Sequence, residues 1–114
     1  MVLVIGAAAS GKREYVKTLG YNDGDLADAV LDARPVLYNL QALVAKDPRN
    51  APKLLPELLK KQVVICNEVG SGVIPVEKSE RETREQTGRL CIQLAQKADC
   101  VVRLVCGIPT VIKG

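Results

Sequence analysis

The chain has 114 residues, 47% hydrophobic and 25% charged, with a net charge of +3. That is enough for one globular domain with a real core; it excludes intrinsic disorder, and no apolar run reaches the ~20 residues needed to cross a bilayer. With no histidine, no Phe and no Trp, imidazole chemistry is excluded within this sequence and aromatic stacking on nucleic-acid bases has little to work with.

No basic leader precedes the first apolar stretch, so a cytoplasmic location is expected. Residues 1–5, Met-Val-Leu-Val-Ile, form a continuous apolar run that suits a strand buried on both faces. A loop of small residues follows, and 12–19 fit a short helix stopped by Gly20. Residues 21–25 carry turn chemistry. Ala29-Val30-Leu31-Asp32 reads as a short strand with an acid at its carboxyl end. Pro35 then suits the first turn of a helix with apolar positions Val36, Leu37, Leu40, Leu43 and Val44. One amphipathic stretch from Leu26 onward, broken at Pro35, is the alternative.

Residues 47–52 read as a turn and 53–61 as a short helix. A second buried strand is expected at 63–66. The long charged stretch 77–98 holds its apolar weight late, at Leu90, Cys91, Leu94, Ala95 and Ala98, spacings that predict a helix. Its first half has no large apolar residue, and Thr83 and Thr87 continue the stripe that Leu90 begins. A third buried strand is expected at 100–105 and an edge strand at 110–113. This alternation predicts an α/β fold, a single domain over 1–114 with a mainly parallel sheet and flanking helices. Cys66, Cys91, Cys100 and Cys106 contain no CxxC pair and read as packing residues.

Gly6-Ala7-Ala8-Ala9-Ser10-Gly11-Lys12 matches GxxxxGK between a predicted strand and a predicted helix. Small residues let backbone N–H groups turn toward phosphate oxygens, and Lys12 is placed to reach the outer phosphates. The pattern points to a P-loop NTPase-like fold. Arg13 stands where Ser or Thr would offer a hydroxyl to magnesium; arginine cannot ligate a cation, although it can pair with phosphate. A magnesium site is therefore weakened, and Asp32 is the acid left to hold the ion. Asn67 and Glu68 are expected beyond a strand end, where α/β proteins gather ligands; capping and turn formation is the alternative for this pair.

Residues 63–75, Val-Val-Ile-Cys-Asn-Glu-Val-Gly-Ser-Gly-Val-Ile-Pro, resemble the Asn-Glu-Val-Gly-x-Gly-x-x-Pro segment of the adenosylcobinamide kinase/adenosylcobinamide-phosphate guanylyltransferase family. The resemblance continues through Arg84, Gly88-Arg89-Leu90, Leu94-Ala95, Ala98-Asp99 and Val105-Cys106-Gly107-Ile108-Pro109. It implies a GTP- or ATP-binding phosphotransferase of cobalamin assembly, acting on adenosylcobinamide and forming homo-oligomers. By position it implies phosphate binding at residues 6–12, and it brings Asp32, Asn67 and Glu68 to the site. The family's central portion, which carries the histidine that accepts GMP, is missing after the first helix, so guanylyl transfer by that route is excluded. A catalytically degenerate nucleotide-binding or structural subunit is the alternative function.

Overall fold

The computed structural model describes residues 1–68 and 77–114. Strand β1 (Val2–Gly6) leads through the small-residue loop into α1 (Lys12–Thr18). Two three-residue strands follow, β2 (Leu26–Asp28) and β3 (Val36–Tyr38), then α2 (Leu40–Lys46), a 3-10 segment (Pro48–Leu54) and α3 (Leu55–Leu59). Strand β4 (Val63–Asn67), helix α4 (Lys78–Lys97), β5 (Cys100–Val105) and β6 (Ile108–Lys113) complete the chain. They form one sheet in the order β2-β3-β4-β1-β5-β6. All pairings are parallel except that of β5 with β6. The expected α/β fold, mainly parallel and flanked by helices, is what forms.

The alternation of side chains along the central strands divides them between two cores. Leu3, Val64, Cys66 and Val101 pack with Leu40, Val44, Leu58, Leu90 and Leu94 from α2, α3 and α4. Val4, Val63, Ile65, Val102 and Leu104 pack with Val16 of α1 and with Leu26 and Val36. Apolar residues on both faces are what a covered parallel sheet requires, which is why these strands read as unbroken hydrophobic runs. Strand β6 forms the edge of the sheet beside β5, and all six of its residues are exposed. Pro109 is tolerated there because an edge strand can forgo one donor.

The region 26–45 corrects the sequence reading. The strand expected at 29–32 lies at Leu26–Asp28, and Val36 and Leu37 belong to β3 rather than to a helix. The helix expected after Pro35 starts only at Leu40, after Asn39 reverses the chain at φ 60°. Cys66 is buried as expected, but Cys106 is exposed in the turn between β5 and β6. The Val69 to Pro75 part of the segment that carried the resemblance lies outside the described residues.

Candidate functional site

Residues 7–11 leave the carboxyl end of β1 and turn into α1. Two backbone reversals shape the loop, at Ala9 with φ 57° and Gly11 with φ 90°. The second suits glycine, which adopts positive φ without a steric penalty. Inside the loop the Ser10 N–H donates to the Ala7 carbonyl at 3.2 Å, and the Gly107 N–H donates to the Ser10 carbonyl at 2.9 Å. Gly11 heads α1 without a side-chain cap, so the chain supplies no side-chain oxygen to the first-turn amides there.

Lys12 is buried at 6% exposure. Its ammonium folds back over the loop, donating to the Ala7 carbonyl at 2.6 Å and reaching the Ser10 hydroxyl at 3.4 Å. Burial lowers its pKa. The Cys66 thiol, pushed strongly upward by its hydrogen bond with Cys91 and by burial, is neutral. The negative charge that favours the ammonium is therefore that of Glu68. A desolvated cation resting on neutral oxygens gains when an anion takes their place.

The ends of the neighbouring strands meet this loop. Asn67 pairs with Gly6 across the sheet, and the Glu68 N–H donates to the Gly6 carbonyl at 2.8 Å. Two expected site residues, Asn67 and Glu68, are thus brought to the loop. The Glu68 carboxylate is held by the Arg103 guanidinium from β5. The Asn67 N–H donates to Gln41 Oε1 at 3.1 Å, Gln41 Nε2 to Asn39 Oδ1 at 3.2 Å, and Asn39 Nδ2 to Asp28 Oδ1 at 2.7 Å. A polar chain therefore runs along the carboxyl ends of β2, β3 and β4.

Asp32 is not part of it. The loop holding Asp32 precedes β3, and its carbonyl accepts the Lys61 ammonium just before β4 begins. Val36 pairs with Val63 at the start of both strands, so Asp32 stands at the amino edge of the sheet, opposite Lys12. Its carboxylate is engaged by Arg34 Nη2 at 2.6 Å. That guanidinium, with the Arg34 backbone N–H, holds the Asp32 carboxyl down at about 2. The acid beyond the nearby strand end is Asp28, four residues earlier than expected. Asp32→Asn is expected to leave nucleotide affinity unchanged. The ion pair stabilises the fold above the ordinary carboxyl pKa of 3.8 and loses that effect as pH falls through about 2. A melting-temperature difference between wild type and Asp32→Asn at pH 6 should therefore narrow steadily as pH falls from about 4 toward 2.

Arg13 turns away from the loop. Its guanidinium donates to Asp23 Oδ1 at 2.6 Å and lies 6.0 Å from the centre of the Tyr38 ring. Lys17 reaches the same carboxylate at 2.9 Å. Among the described residues no cluster of three or more Cys, Asp or Glu is arranged to hold a metal ion. With no hydroxyl at position 13 and Asp32 at the far edge, the residues around Lys12 do not fit direct coordination of magnesium. Sequence reasoning missed Asp28, Asn39, Gln41 and Arg103. Asp28 and Asn39 stand at the ends of β2 and β3, which the misplaced strand hid, while Gln41 lies in the first turn of α2 and Arg103 within β5, where no sequence pattern marks them.

Comparison with known proteins converges on one assignment. Residues 26–112 match the family described as cobinamide kinase / cobinamide phosphate guanyltransferase; the loop 6–12 precedes the matched span. The chain is 33% identical over 94 residues to the bifunctional adenosylcobalamin biosynthesis protein CobU of Salmonella typhimurium. That alignment covers 82% of this chain and 48% of the relative, so the chain spans about half the length of the curated relative it matches. Residues 26–112 hold β2 through nearly all of β6, the scaffold on which the strand-end residues sit, and on that match the chain belongs to the cobinamide kinase / cobinamide phosphate guanyltransferase family.

Proposed function

We propose that this protein is a single nucleotide-binding domain that takes the phosphates of GTP or ATP at Gly6, Ala7, Ala8, Ala9, Ser10, Gly11 and Lys12. It then transfers the terminal phosphoryl group to the hydroxyl of adenosylcobinamide, as a cytoplasmic member of cobalamin assembly. The observation that carries this reading is the buried Lys12 ammonium lying over the loop on the Ala7 carbonyl, the position a phosphate oxygen would take over. Phosphoryl transfer depends mainly on positioning and on neutralising charge at the phosphate oxygens. Lys12 and the loop amides supply both. A cleft of about 790 Å³ next to the loop, bordered by Ser10, Tyr15, Thr18, Gly107 and Pro109, has room for the nucleoside. Asn67 and Glu68 border the loop from β4. Homo-oligomer formation belongs to the same reading, supported by exposed Ile108, Val111 and Ile112 on β6. Incubation with GTP or ATP, with and without adenosylcobinamide, tests the reading: a product heavier by one phosphate supports it.

A second reading, a nucleotide-binding subunit without turnover, is favoured by the absence of a hydroxyl at Arg13 and by the remote Asp32. Nucleotide binding without phosphorylated product would select it. Under either reading no GMP becomes attached, because the sequence contains no histidine. Intact mass after incubation with GTP and magnesium should be unchanged, and an added guanylyl mass would overturn this.

Metal dependence is expected to be weak. Arg13 is exposed, and Asp23 offsets part of its charge without supplying the missing hydroxyl. GTP should bind within about threefold of the same affinity with magnesium or with a chelator, a free-energy difference of ~0.6 kcal/mol or less. Arg13→Ser should make binding depend on magnesium. A wild-type affinity that collapses in chelator would point to an ordinary metal-assisted site.

A further inference from the structure

We propose that the cleft between α2 and the amino half of α4 is the acceptor subsite, holding the neutral, hydroxyl- or amide-bearing arm of the molecule to be phosphorylated; this rests on the kinase reading above. The cleft has a volume of about 480 Å³, room for a polar arm rather than for a whole large acceptor.

The sequence of α4 changes character where the cleft begins. Its inward stripe runs Leu94 and Leu90 against the core, then continues as Thr87 and Thr83 along the cleft. Thr87 is 0% exposed, and its hydroxyl has no hydrogen-bond partner among the described residues. A valine would fill the same space without burying an unsatisfied polar atom, so the hydroxyl is a disadvantage to the fold alone. A ligand carrying a hydrogen-bond donor or acceptor removes that disadvantage.

The cleft is also joined to the phosphate loop. Gln41 forms part of its wall, and the same side chain accepts from the Asn67 N–H, one strand away from Gly6. The cleft therefore adjoins the carboxyl end of β4, near where the donor phosphates would lie, and it sits in the helix layer opposite α1, separate from the nucleoside cleft. Its chemistry fits a neutral guest. Glu77 and Glu80 border it together with Arg84 and Ser79, a mixture that gives no preference to a phosphate and offers several hydrogen-bonding partners to hydroxyls and amides.

Binding of adenosylcobinamide, measured by calorimetry, separates this proposal from the reading on which it rests. Two variants are used with wild type. Thr87→Val removes the hydroxyl at constant shape, and Ala45→Phe fills the cleft from an exposed position on α2. Thr87→Val should weaken adenosylcobinamide about 3- to 10-fold, the range for one lost hydrogen bond, while melting at or above the wild-type temperature. Ala45→Phe should weaken it at least 10-fold. Both should keep GTP affinity within twofold. If wild type binds adenosylcobinamide and either variant binds it equally well, the proposal is overturned while the kinase reading stands. If wild type does not bind it at all, the kinase reading fails and takes this subsite with it.

Discussion

Lys12→Ala should reduce GTP and ATP affinity by about 10- to 100-fold, the effect of removing a hydrogen bond to a charged group worth ~1.5–3 kcal/mol. The loop keeps its backbone shape in this variant, because the reversals at Ala9 and Gly11 and the bond from Gly107 to Ser10 do not involve the lysine side chain. Folding is not the vulnerable step. Lys12 is desolvated in the free protein and rests on the Ala7 carbonyl and Ser10 hydroxyl, so removing it also removes a buried charge. The melting temperature of the free protein should accordingly hold or rise slightly while ligand-induced stabilisation disappears. Calorimetric titration together with melts at increasing GTP would read both effects. Equal affinity in wild type and variant would remove the loop as a phosphate site.

Gly6→Ala should be strongly destabilising. A β-carbon at Gly6 would lie 2.7 Å from the Leu104 carbonyl oxygen and 2.5 Å from Ser10 Oγ. The hydroxyl can rotate away, but the carbonyl belongs to β5, with which every residue of β1 is paired. Overpacking of this kind destabilises by ~1–3 kcal/mol. At about 4–8 °C per kcal/mol for a domain near this size, the melting temperature should fall by roughly 5–20 °C. Adding Ser10→Gly relieves one of the two contacts and should recover only part of the loss. A Gly6→Ala protein that melts like wild type would show that β1 and β5 can separate without cost. It would also leave the glycine without its structural reason.

How far the sequence disclosed this arrangement depended on how each residue's role is encoded. Residues 63–66 and 100–105 were legible as strands because burial on both faces leaves unbroken apolar runs. The loop was legible because glycine spacing and lysine describe a backbone shape. Strands β2 and β3 were not, since three residues cannot display a period. Val36 and Leu37 fit the apolar face of a helix as well as they fit a strand. Their assignment is decided by pairing with Leu26, Ala27, Val63 and Val64, which a linear sequence does not carry. Misplacing that strand by a few residues selected Asp32 in place of Asp28, and so moved the expected acid from one edge of the sheet to the other. Arg13 is legible as the departure from the motif. Its partner Asp23 lies ten residues on in a turn, where no pattern announces it.

The strand register has a consequence for how the molecule is made. Val2 pairs with Val63 on one side and with Cys100 on the other, so the first strand is fixed only by partners that follow it far along the chain. The loop 6–12 therefore precedes in sequence the strands that give it its shape, and it is among the last parts of the sheet to be fixed. Until β4 and β5 arrive, Gly6 has neither the Glu68 amide nor the β5 backbone against it, and the motif is a short flexible tract beside an apolar strand. Contacts this distant in sequence carry a large closure entropy and slow the search for the native pairing. A site proposed at residues 6–12 therefore waits on β4 and β5. On the proposed reading, nucleotide binding requires that nearly the whole sheet has closed.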